Sequence, residues 1–125
     1  MLDTSPLTAV VERFADRLRA MPQSRLQQGA AAEALQLARE LSARAQRLES
    51  PSGAAPARTM PDAGVFVVGD QVAVAGADLA EALRAADAAD APAPDRAAPD
   101  TATAPSEMLD EAVALVEQAE VRATR

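Results

Sequence analysis

The chain has 125 residues, a formal net charge of −7, and no Cys, His, Lys, Asn, Ile, Trp or Tyr. That length suits one small domain rather than two. The missing residue types exclude disulfides and cysteine metal sites, the usual zinc ligand and neutral-pH general base, and lysine chemistry of the Schiff-base and phosphate-loop kinds.

Residues 5–21 read as a first helix. Ser5 can cap it, and Pro6 suits the first helical position. Leu7, Val10, Val11, Phe14, Leu18 and Met21 follow spacings of three and four. They fall within about 80° of arc, a narrow stripe suited to one or two partner helices. Pro22-Gln23-Ser24 breaks the helix, and Ser24 with Gln27 fits a capping box. A second helix is expected over 25–49, with Leu26, Ala30, Ala34, Leu37, Leu41, Ala45 and Leu48 as its stripe. Glu40 and Arg44 sit at i,i+4 in the favourable order. With so short a turn, residues 1–50 are expected to form an αα-hairpin.

Residues 51–63, with three Pro and one Gly, read as a linker. The stretch 64–76, GVFVVGDQVAVAG, carries the strand signal. Gly69-Asp70 suits a two-residue hairpin loop that pairs Val67 with Val72 and Val65 with Val74. Asp78 then caps a short third helix, 79–89, with Leu79, Ala82, Leu83 and Ala86 on its apolar side. An isolated hairpin is marginal in water, so residues 64–89 are expected to close as a ββα unit.

Residues 90–105, DAPAPDRAAPDTATAP, contain no bulky apolar residue and are expected to be a disordered linker. Ser106 can cap a last amphipathic helix over 107–122, within a final segment 106–125. Its acids crowd the start and its arginines the end, which suits the helix dipole. Met108, Leu109, Ala112, Val113, Leu115 and Val116 give it a wide apolar face that should dock on its own chain or on a partner. The expected class is therefore mainly α with one small β-hairpin (α+β).

Alanine supplies 33 of the 125 residues, and all 12 basic residues are Arg. The excess of Ala, Arg, Pro and Gly points to a high-GC bacterial genome. Only 28 bulky apolar residues remain: 12 Leu, 10 Val, 4 Met and 2 Phe. Small helix interfaces are expected, because Ala favours helix but buries little area. The longest apolar run, Ala112 to Val116, is five residues, against about 20 for a membrane span. No basic stretch precedes an apolar run at the N-terminus, so no signal peptide is read and the cytoplasm is the expected location.

Arg13 and Arg17 lie at i,i+4, with Arg25 nearby. They are the candidate anion contacts. Glu12 and Asp16 among them favour a solvated edge, and the lack of interleaved aromatics argues against nucleic acid. The acidic second half, net −8 over 51–125, argues the same way. Asp87, Asp90, Asp95 and Asp100 lack calcium-loop spacing, so no metal is expected. Gly64, Gly69 and Gly76 form no nucleotide-binding fingerprint. No two carboxylates are marked as converging in a catalytic pocket, and no cofactor is implied.

The expectation is a small non-enzymatic protein that binds a protein partner or itself. A two-helix hairpin cannot bury its stripe alone, so either the third and fourth helices cover it or a second copy does, as a homodimer through the helical hairpin that completes a four-helix bundle. The candidate interface is Leu7, Val11, Phe14, Leu18, Leu37 and Leu41 on the hairpin, with Leu109, Val113 and Val116 on the last helix. The alternative is a nucleotide- or nucleic-acid-responsive regulator that uses Arg13, Arg17 and Arg25.

Overall fold

The computed structural model describes residues 2–50, 53, 58–89 and 104–125. Four helices follow from four runs of apolar residues spaced three and four apart, the repeat that keeps a stripe facing near-aligned neighbours. Helix α1 spans Ser5–Ala20 and buries Leu7, Val11, Phe14 and Leu18. Pro6 opens it. Asp3, just before it, accepts bonds from the Ser5 amide and hydroxyl, which hold its carboxyl below the ordinary range.

Helix α2 is kinked. It begins with the turn Gln23–Arg25, widens over Leu26–Ala30, and runs regularly through Ala31–Glu49. In the wide turn the Ala31 N–H reaches back to the Leu26 carbonyl, five residues away. Gly29 makes this possible with φ of 139°, a backbone conformation that β-carbons disfavour. Leu37, Leu41, Ala34, Ala38 and Ala45 are buried beyond the kink.

Helix α3 spans Val68–Ala89, and α4 spans Pro105–Ala123. Both α3 and α4 lie against α1 and α2, and α3 provides the larger contact to each. Although a short turn joins α1 to α2, the two do not pack along one another. Leu7, Phe14, Leu41, Val72 and Leu83 are fully buried where the helices meet, and burying such side chains supplies about 1.5–3 kcal/mol each.

The structure departs from the sequence expectation at several points. There is no strand among the described residues, so the β-hairpin over 64–76 and the ββα unit over 64–89 are not formed. The fold is all-helical rather than α+β. Val68, Val72, Ala75, Leu79 and Leu83 face inward on one continuous helix, and Asp78 lies in its middle rather than at its start. Gly69 is not a turn residue. It is buried, and a β-carbon there would stand 3.1 Å from the Ala15 carbonyl oxygen and 3.6 Å from Leu18 Cβ. The αα-hairpin is replaced by two helices that α3 separates and bridges.

Capping also differs in detail. Thr4, Pro22 and Ala104 hold the N-cap positions of α1, α2 and α4, and none donates or accepts a side-chain cap bond. The expected linker 90–105 lies mostly outside the described residues. Of 51–63, the part from Arg58 to Pro61 is fastened to the helices. The Arg58 amide donates to Gln46 Oε1, and Gln46 Nε2 donates to the Arg58 carbonyl, both at 2.7 Å. Arg39 Nε donates to the Met60 carbonyl and Gln71 Nε2 to the Pro61 carbonyl, both at 2.8 Å.

Candidate functional site

The candidate interface residues of the sequence are turned inward. Leu7, Val11, Phe14, Leu18, Leu37, Leu41, Leu109 and Val116 are buried within this one chain, and Val113 is half-buried against the same core. They hold α1 and α2 to α3 and α4.

The candidate anion contacts are drawn together by a carboxylate. Arg13 Nη2 lies 2.9 Å and Arg17 Nη1 3.3 Å from the Glu120 carboxylate on α4. Glu120 is buried, whereas both arginines are about half exposed. Burial pushes the Glu120 carboxyl up, but hydrogen bonds from Arg13 and Arg17 outweigh it and leave the group below its ordinary value. The same bonds raise Arg13. Arg25 is elsewhere, donating from Nη2 to the Thr124 carbonyl at 2.7 Å. Two further ties reach α4: Arg44 to Glu111 at 3.1 Å and Arg122 to Glu33 at 2.9 Å. Thus the arginines close a seam around a helix whose buried face combines Leu109 and Val116 with the small Ala112, Ala119 and Ala123.

The outward surface of α3 has a different character. Phe66 is 75% exposed, Val74 55% and Val67 37%. At 100° per residue, positions 67 and 74 share one line of a helix. Phe66 and Val67 belong to the turn over residues 65–67 that leads into α3. Beside it, between that turn and the kink of α2, lies an open cleft of about 400 Å³ whose apolar lining is Leu26, Leu35, Val65 and Val68. Asp70 and Asp78 stand one turn before and after Val74, both exposed. Arg19 bonds Asp70 at 2.7 Å and Asp16 at 3.0 Å.

Sequence reasoning missed Val67 and Val74 as helix-surface residues because it paired them across a hairpin, and it did not single out Phe66. The signal that finds them is the heptad Val68, Val72, Ala75, Leu79, which leaves 67 and 74 outside. It also missed Glu120, for which the i,i+4 pair Arg13 and Arg17 is half a signal, since two adjacent arginines suit one carboxylate.

Among the described residues no three His, Cys, Asp or Glu side chains are placed to hold a metal ion. Among them, too, no helix is long and apolar enough to cross a membrane. Comparison of the chain with protein-family models, curated proteins and solved structures found no significant match.

Proposed function

We propose that this chain is a small non-enzymatic protein that acts in the cytoplasm by binding another protein through the outer surface at the start of α3. The observation that carries this reading is the contrast between its two phenylalanines. Phe14 is fully buried, whereas Phe66 is 75% exposed, and Val67 next to it in sequence and Val74 two turns further on are exposed as well. An aromatic side chain supplies more interface area than most residues, and exposed large apolar groups mark interaction surfaces. The apolar stripes of α1, α2 and α4 are already covered within the chain, so binding through them would require the bundle to open. The reading as a nucleotide- or nucleic-acid-responsive regulator gains no observation, because Arg13 and Arg17 already share a carboxylate.

The test is site-specific photocrosslinking in the native host. A benzophenone side chain at position 66 is expected to give a discrete protein adduct. The same group at Glu107, exposed on α4, is expected to give none. No adduct from position 66, or the same adducts from both positions, would refute the reading.

A further inference from the structure

We infer that the surface formed by Phe66, Val67 and Val74 accepts a basic, apolar helical segment of a different protein, rather than a second copy of this chain. This rests on the protein-binding reading above and adds the partner's chemistry. Carboxylates frame the apolar groups. Asp62 precedes Phe66, Asp70 and Asp78 stand four residues either side of Val74, and Glu81 follows one turn further on. Residues 61–89 contain five acids and a single arginine, Arg84. That arginine is already engaged, donating to Glu81 and to the Thr4 hydroxyl, both at 2.6 Å. Arg19, which reaches in from α1, is likewise paired with Asp70 and Asp16. Of the framing carboxylates, Asp70 and Glu81 are therefore each shared with an arginine, and among the described residues Asp62 and Asp78 are not. Asp78 has no ion pair among the described residues.

A second copy would set this acidic frame against its own image, with a net charge of −7 on each chain. Like charges brought together at an interface select against that partner. Anionic lipid headgroups are disfavoured for the same reason. Complementarity instead calls for cations around an apolar residue. Asp70 and Asp78 are eight residues apart, about 12 Å along a helix. Arginine or lysine two turns apart on a partner helix spans that distance, with an apolar side chain between them to meet Val74.

The experiment uses the full chain and two labelled 18-residue helical peptides with the same Leu and Phe stripe. One carries Arg beside the stripe, the other Glu. Fluorescence anisotropy is expected to show the Arg peptide binding at least about tenfold more tightly than the Glu peptide, and more weakly as salt rises. Asp78→Asn with Glu81→Gln is expected to weaken it about three- to tenfold. Phe66→Ser with Val74→Ser is expected to abolish binding. Glu107→Gln with Asp110→Asn, on α4, is expected to leave it unchanged. If the α4 pair weakens binding as much as the α3 pair, the attraction is general charge and the inference fails. If the Arg peptide binds through Phe66 and Val74 but ignores Asp78 and Glu81, the charge inference fails while the protein-binding reading stands. Failure of both peptides to bind also overturns it. So does a dimer, seen by sedimentation, that Phe66→Ser with Val74→Ser dissociates.

Discussion

A β-carbon built on Gly76 of α3 would stand 2.6 Å from Cγ1 of Val11 on α1. The two helices are therefore as close as a residue without a side chain permits. Two opposing effects decide what Gly76→Ala does. Alanine in mid-helix gains about 1 kcal/mol over glycine, whereas overpacking a filled interface costs about 1–3 kcal/mol. The expected outcome is a net loss of about 1 kcal/mol in urea unfolding. Val11→Ala should make room, so the double variant should be less destabilised than the two single losses added together. Strict additivity would show that the helices separate freely.

Gly29 supplies the opposite case. A β-carbon there would meet nothing within 4 Å, yet its φ is 139°. Gly29→Ala therefore loses only through the backbone, by about 1–2 kcal/mol. The sign is the test, since an ordinary helical glycine would be stabilised by the same change. A stabilised variant would mean that the wide turn of α2 is not held in this conformation.

Glu120 predicts a pH dependence. Its carboxyl titrates lower in the folded chain than in the unfolded one. The stability it contributes is thus fully present above its unfolded value, about 4.3. It is lost as pH falls through the lower folded value. Glu120→Gln should cost about 1.5–3 kcal/mol at pH 7, the range for hydrogen bonds to a charged group. The difference from wild type should shrink below pH about 4. A constant difference across the range would show that Glu120→Gln acts through lost shape complementarity rather than lost charge.

The two phenylalanines should separate cleanly in thermal unfolding. Phe14→Ala is expected to cost about 3–5 kcal/mol, as for a filled core position. Phe66→Ser should change stability by no more than about 0.5 kcal/mol, as for an exposed one. A large loss from Phe66→Ser would place that ring in the core.

Much of the helical plan was legible. Leu7 to Leu18, Leu26 to Ala45 and Leu109 to Val116 each repeat at three and four, and each became a buried stripe. The segment around Gly69 was misread because two patterns overlap there. Val65, Val67, Val72 and Val74 alternate as in strands, and Gly69-Asp70 is a good turn. The competing spacing, Val68, Val72, Ala75, Leu79, continues into an undisputed helix, and tertiary contact decides between them. A glycine that looks like a turn locally is needed where α3 passes close to Ala15 and Leu18. The exposure of Val67 and Val74 is hidden by the same error, since pairing them across a hairpin removes the reason to ask which side of a helix they occupy.

The place of α3 between the first two helices bears on how the chain acquires its core. As residues 1–50 leave a ribosome they carry two apolar stripes that do not pack along one another in the finished fold. Each waits for Val68–Ala89, the nearest element in sequence that packs along both. Secondary structure can form early, but the decisive contacts link α1 to residues more than fifty positions later, and such non-local closure slows folding. In that interval the nascent chain displays Leu7, Phe14, Leu37 and Leu41 to whatever else is nearby.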